Sequence, residues 1–153
     1  GFPVSSAMWQ PLIDPLVSAG YCVIAPDQRG YSPGARPEGV RNYRVDYLSD
    51  DVLAIADTLG IGRFNLIGHD WGSVVGWVTV LRAPQRIISW TGLSIAHPGA
   101  FAQALETDPD QQARSRYFFL LTAPWLPETL LSFNNLKLLK LGYTGLPDLQ
   151  LQE

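Results

Sequence analysis

Cysteine is almost absent from this sequence. Cys22 stands alone, so no internal disulfide can form. Its place in the apolar run Tyr-Cys-Val-Ile-Ala marks it as an inert core residue, and a reduced, cytoplasmic compartment is expected. Histidine is scarce too. His69 and His97 leave little room for a histidine-based metal site, and with one cysteine there is no zinc spacing, so neither metal nor cofactor is expected. No apolar run is long enough to span a membrane. The basic residues are scattered, 11 against 14 acidic, which excludes a concentrated nucleic-acid face. Internal repeats and low-complexity stretches are missing. What is present is a soluble globular composition, 46% hydrophobic and 16% charged over 153 residues, with a net charge of −3. That is the size of one domain and enough chain to bury a core. The chain opens at Gly1 without an initiating methionine and closes after the turn signal Gly145-Leu146-Pro147-Asp148. It is expected to be a segment of a longer protein, whose own N-terminus and any signal peptide would lie elsewhere.

The hydrophobic pattern alternates between two periods. Residues 8–19 read as a helix interrupted by Pro11 and Pro15 and closed by Gly20. Residues 21–25 form a continuous apolar run, as in a buried parallel strand. Residues 26–39 are rich in glycine and proline and read as a loop. A helix is expected over 45–59, with Val45, Leu48, Val52, Ile55 and Leu59 along one face. Residues 64–67 form a second strand, 73–82 a buried helix ended by Pro84, and 87–95 a third strand. Strands alternating with helices imply right-handed βαβ units and a parallel sheet. After His97-Pro98-Gly99 the alternation stops, and 111–121 and 128–140 read as helices with no strand between them. The expected architecture is therefore α/β. Residues 1–96 form part of a parallel-sheet core with flanking helices, and 97–153 form the beginning of a helical lid.

The sharpest motif is Gly68-His69-Asp70-Trp71-Gly72, a G-x-nucleophile-x-G strand-to-helix elbow with aspartate where serine usually stands. Flanking glycines permit the strained turn, and the nucleophile then stands at the carboxyl end of the sheet and the N-terminus of a helix. The competing role for Asp70 is that of a helix N-cap. An aspartate, with a reference pKa of about 3.9, needs no base to become a nucleophile at neutral pH. Its attack on a saturated carbon gives an ester that water can cleave at the carbonyl, whereas serine would leave an ether that water does not cleave. Asp70 thus points to an electrophilic sp³ carbon, an epoxide or an alkyl halide, and away from esterase chemistry.

At these residues the chain resembles the epoxide hydrolase branch of the α/β-hydrolase superfamily. The elbow is one match. Gly1-Phe2-Pro3 resembles the tail of that family's His-Gly-x-Pro loop, and Asp27-Gln28-Arg29-Gly30-Tyr31-Ser32 resembles its Asp-x-Arg-Gly-Tyr-x-x-Ser loop in shortened form. The likeness runs over about residues 1–125. It implies an oxyanion hole made from the backbone N–H groups of Phe2 and Trp71, which would stabilise charge on the ester carbonyl oxygen. Either ring could instead be simple packing.

Opening an epoxide expels an alkoxide, so a proton donor should assist. A tyrosine phenol, with a reference pKa of about 10, stays protonated at neutral pH. The resemblance assigns this role to lid tyrosines, and Tyr117, in Ser115-Arg116-Tyr117-Phe118-Phe119-Leu120-Leu121 before Pro124, matches the first of them. The alternative is an ordinary packing aromatic. Tyr143 does not match the second and stays unassigned. Asp27 and Arg29 are expected to shape their loop, His69 to pack at the elbow and His97 to position the lid entry. Neither histidine stands where the family's general base would, and Ser94-Ile95-Ala96-His97 offers no carboxylate to orient one, so the base and its acid are expected beyond Glu153. The implied substrate is a small hydrophobic epoxide or related electrophile. A haloalkane dehalogenase is the nearest alternative, with the indole N–H of Trp71 holding halide. That family usually has Asn at the position of Phe2 and Gln at that of His69, so the sequence departs from it twice. A non-catalytic binding module that kept the pocket and lost the chemistry is the reading from another class.

Overall fold

The structure is a computed structural model, and it describes residues 1–123 and 126–132. The described residues fall into two compact units, divided between Phe101 and Ala102.

In the first unit a single 3₁₀ turn, Ser6–Trp9, leads into α1, Gln10–Ser18. Pro11 lies in its first turn, where its missing N–H costs nothing, while Pro15 lies inside the helix. Gly20, at φ 88°, ends it in the left-handed region. Helix α2, Val45–Thr58, is followed by strand β1, Phe64–His69, then α3, Trp71–Arg82, and strand β2, Ile87–Leu93. β1 and β2 are parallel, with His69 beside Leu93 and Leu66 beside Trp90. This is a β-α-β unit, and it matches the expected elements to within a few residues at each end.

One expectation is corrected in this unit. Residues 21–25 do not join the sheet, which among the described residues has two strands. They are non-strand chain and line a cleft of about 1340 Å³ together with Leu66, Ile67 and Gly68 of β1. Cys22 is exposed instead of buried in a core. Helix α2 packs on α3 through small residues. Its deepest residues are Ser49, with no exposure, and Ala56, whereas Leu59 is exposed. Close helix packing selects small residues at the contact: the Thr79 hydroxyl of α3 donates to the Ser49 hydroxyl at 3.1 Å. The larger Leu48, Ile55 and Leu59 line the cleft instead.

The glycine pattern explains how α3 lies on the sheet. A Cβ on Gly76 would fall 2.0 Å from the Trp90 ring, and one on Gly68 would fall 2.4 Å from the Gly72 carbonyl oxygen. Trp90 therefore fills space that only glycines leave open, and it meets Trp77 edge-on at 5.6 Å.

Residues 98–132 are helical where described: α4, Pro98–Thr107, α5, Pro109–Arg114, α6, Tyr117–Thr122, and α7, Leu126–Ser132. The helix expected over 111–121 is two. Asp108 caps α5, its carboxylate accepting the N–H groups of Asp110 and Gln111 at 2.9 and 3.3 Å, and the chain turns at Ser115-Arg116 before α6. Helix α4 is an addition to the expected elements, and Pro98 and Gly99 form its first turn. The expected helix over 128–140 extends outside the described residues, as do Pro124 and Tyr143.

Candidate active site

The elbow joins β1 to α3 through Asp70, whose backbone lies at φ 53°, ψ −121°. A non-glycine residue there carries conformational strain of about 1–3 kcal/mol, held in place by its surroundings. Those surroundings are visible. The Asp70 N–H donates to the Leu93 carbonyl at 3.2 Å, and its carbonyl accepts from the N–H groups of Ser73 and Val74 at 2.8 and 3.1 Å. Ser73, fully buried, knits the turn to the sheet. Its hydroxyl lies 2.7 Å from the Gly68 carbonyl oxygen and 3.0 Å from that of Leu93, and accepts the Leu93 N–H at 3.1 Å. Of the two flanking glycines, Gly68 is demanded by close approach. Gly72 is not, since a Cβ there would meet nothing nearer than 3.8 Å.

The Asp70 carboxylate does not cap α3: its side chain accepts no bond from the helix N-terminus. Instead Oδ1 accepts the backbone N–H of Phe2 at 3.1 Å, across 68 residues of sequence. Gly1 packs so closely that a Cβ on it would fall 2.4 Å from the Asp70 Cβ. Trp71 opens α3, and the first N–H groups of a helix have no carbonyl partner within it. Phe2, Asp70 and Trp71 are thus brought to one place. Phe2 and Trp71 are 44% and 50% exposed.

The 1–9 segment is held from below. Asp27 Oδ1 accepts the Ser6 N–H at 2.7 Å, and the Ser5 hydroxyl accepts the Ala7 N–H at 3.4 Å. Arg29 forks onto Asp51 of α2, Nε to Oδ2 at 2.8 Å and Nη2 to Oδ1 at 2.6 Å, and Nη1 donates to the Asn42 carbonyl. That bonding raises the Arg29 guanidinium above its ordinary pKa. Asp51 was missed as a partner because it reads as an exposed helix acid.

His97 is committed to the entry of α4: its Nδ1 accepts the Gly99 N–H at 3.1 Å, and its ring meets Trp77 edge-on at 5.0 Å. His69 Nδ1 is buried without a hydrogen-bond partner, as is Trp90 Nε1. His69 lines the cleft beside β1, together with Gly1 and Gly72. Asp70 itself is not among the residues that line the cleft, although its neighbours His69, Gly72 and Gly1 are. Tyr117 opens α6 in the second unit, 54% exposed, with its ring 4.4 Å from that of Phe118. Among the described residues no group of three His, Cys, Asp or Glu could hold a metal, and no helix is long and apolar enough to cross a membrane.

A strained turn that joins a parallel strand to the N-terminus of the next helix, with Asp70 at its apex, has the form of a nucleophile elbow. The sequence model of the alpha/beta hydrolase fold matches residues 1–134, and the chain belongs to that family. It is 33% identical to human epoxide hydrolase 4 over 95% of this chain and 40% of that protein. It is 39% identical to epoxide hydrolase A of Mycobacterium tuberculosis over 76% of this chain and 35% of that one. A protein of Bacillus subtilis described as an AB hydrolase superfamily protein is 37% identical over 88% of this chain and 47% of its own length. The chain spans less than half the length of each of these relatives. Among solved structures, an epoxide hydrolase variant from Bacillus megaterium, in complex with its diol product, superposes with a TM-score of 0.80 at 30% identity over 92% of this chain and 49% of that one. A protein of Salmonella enterica described as a putative acyltransferase superposes equally well, at 0.81 and 30% identity over 95% and 48% of the two chains. The fold alone therefore does not choose the chemistry.

Proposed function

We propose that this chain carries the nucleophile of an epoxide hydrolase, which opens epoxides to vicinal diols through an ester on Asp70. The observation that carries the reading is the Phe2 N–H on Asp70 Oδ1, with the carboxylate uncapped and set on a strained backbone. It divides the labour between the two carboxylate oxygens. Oδ1, held by Phe2, becomes the ester carbonyl oxygen, and Oδ2 is left to attack the epoxide carbon. The C–O bond of the ring breaks and its oxygen takes a proton, which we assign to Tyr117. Water then adds to the ester carbonyl. The negative charge that develops on Oδ1 meets the N–H groups of Phe2 and Trp71, each worth about 3 kcal/mol in the transition state. The ester C–O bond to Asp70 cleaves, the diol leaves, and the carboxylate is restored. We place the base that activates this water outside residues 1–153, since His97 is engaged by Gly99 and Trp77. Residues 97–153 begin the lid that carries Tyr117. The names of the relatives support epoxide chemistry; the aspartate at the elbow independently supports attack on a saturated carbon, because an acyltransferase or esterase would require serine or cysteine there.

The test is an activity comparison on the complete gene product that contains this chain. Diol should form from styrene oxide, no halide should be released from 1-chlorobutane or 1-bromobutane, and Asp70→Asn should abolish diol formation. Halide release without diol formation would transfer the protein to the dehalogenase reading. Neither activity in a folded protein would support a binding module.

A further inference from the structure

We propose that Asp27 is a positioning residue for the oxyanion hole, acting through the Ser6 N–H. This rests on the assignment of Asp70 as nucleophile and of the Phe2 N–H as a hole donor. Ser6 opens the 3₁₀ turn Ser6–Trp9, so its N–H has no partner inside that turn. Asp27 Oδ1 takes it at 2.7 Å. Four residues earlier in the chain, the Phe2 N–H reaches Asp70 Oδ1 at 3.1 Å. Between these points the Val4 N–H closes a turn onto the Gly1 carbonyl at 2.9 Å. The hole donor and the Asp27 anchor are therefore the two ends of one short, constrained stretch.

Asp27 is in turn fixed to the elbow by a second route. Its loop folds on itself, with the N–H groups of Tyr31 and Ser32 donating to the Gln28 carbonyl and that of Gly30 to Ala35. Two residues on, Arg29 grips Asp51 of α2 with a bidentate pair. α2 meets α3 at Ser49 and Thr79, and α3 starts at the elbow. The contacts close a circuit from Asp70 through Phe2, Ser6, Asp27, Arg29, Asp51 and the two helices back to Asp70. A donor that must meet a developing charge loses its effect when it drifts by a fraction of an ångström. The Asp27–Ser6 bond is exposed, so it can be opened without disturbing the buried contact between α2 and α3.

The experiment uses the complete gene product and styrene oxide, with rapid quench and mass spectrometry. It reads the fraction of protein that forms the Asp70 ester, the rate constant of ester formation and the rate constant of ester hydrolysis. Asp27→Ala removes the acceptor. Ser6→Pro removes the donor at a position that suits proline, since Ser6 opens its turn and Ser5 is already extended, at ψ −177°. Asp27→Asn keeps an acceptor oxygen. The expected result is full ester stoichiometry in all three, with ester hydrolysis slowed about ten- to hundredfold in Asp27→Ala and Ser6→Pro, formation slowed less, and Asp27→Asn close to wild type. A merely structural role lowers the fraction of protein that forms ester and leaves both rate constants per competent site unchanged, and that result overturns the proposal. If the wild-type protein forms no ester on Asp70, the nucleophile assignment itself fails, and this is seen before any variant is compared.

Discussion

Replacing Ser73 by alanine should cost several times more stability than deleting an exposed hydroxyl of the same sheet. Ser73 has no exposed surface, and its hydroxyl engages three backbone groups: the carbonyls of Gly68 and Leu93 and the N–H of Leu93. One proton serves the two carbonyls in turn, so the side chain supplies one donated and one accepted bond at any moment. A net hydrogen bond contributes about 1 kcal/mol, and a buried polar group left without a partner costs about 1–3 kcal/mol. Gly68 lies in the buried elbow, whereas Leu93 is 41% exposed and its freed groups can turn to water. The sum for Ser73→Ala is about 2–3 kcal/mol. Ser89→Ala is the matched control on the same strand as Leu93. Its hydroxyl donates to Asn65 Oδ1 at 2.7 Å on an exposed surface, and its loss should cost no more than about 0.5 kcal/mol. Urea unfolding of the complete gene product reads both, with a shift in midpoint at constant m-value as the criterion. Equal destabilisation by the two substitutions would refute the view that this hydroxyl pins the elbow to the sheet.

Gly76→Ala should destabilise in spite of a gain in helix propensity of about 1 kcal/mol, because the new methyl collides with a Trp90 ring already confined against Gly68. Gly62→Ala, with open space around it, should be neutral or slightly stabilising in the same urea unfolding experiment, and a stabilising Gly76→Ala would contradict the packing described. At the start of α2, the Arg44 side chain holds the exposed Asp46 carboxylate below its ordinary pKa of 3.8. A depressed carboxylate contributes stability above its unfolded value and loses it as pH falls through the folded one. The stability difference between wild type and Asp46→Asn should therefore shrink on acidification from neutral pH to about pH 3. A difference that stays constant would show that the pair contributes nothing through charge.

The parts of the fold legible in the sequence were those whose signal is local. Hydrophobic periodicity placed α2, β1, α3 and β2 because each has apolar spacing bounded by glycine or proline. The elbow was legible because strand, glycines and helix coincide at Asp70. What periodicity could not reveal was which apolar run finds a partner: residues 21–25 look like β1 in composition, yet border a cleft instead of pairing. It also could not reveal that small residues, Ser49, Ala56 and Gly76, mark the tightest contacts, because they carry no hydrophobic signal. Within the candidate site, Phe2 and Trp71 were named from a family likeness, and the structure sets the Phe2 N–H on Asp70. Ser73 and Asp51 escaped notice because their roles depend on backbone groups and side chains brought from 20 or more residues away.

The most direct test of the central claim is a single turnover of an epoxide in ¹⁸O-labelled water, with excess protein, followed by mass analysis of the diol and of the peptide containing Asp70. An ester mechanism transfers an Asp70 oxygen to the diol and replaces it from water, so label should appear in Asp70 and be missing from the diol. Label in the diol, with an unlabelled Asp70, would mean that water attacks the epoxide directly and that Asp70 is not the nucleophile.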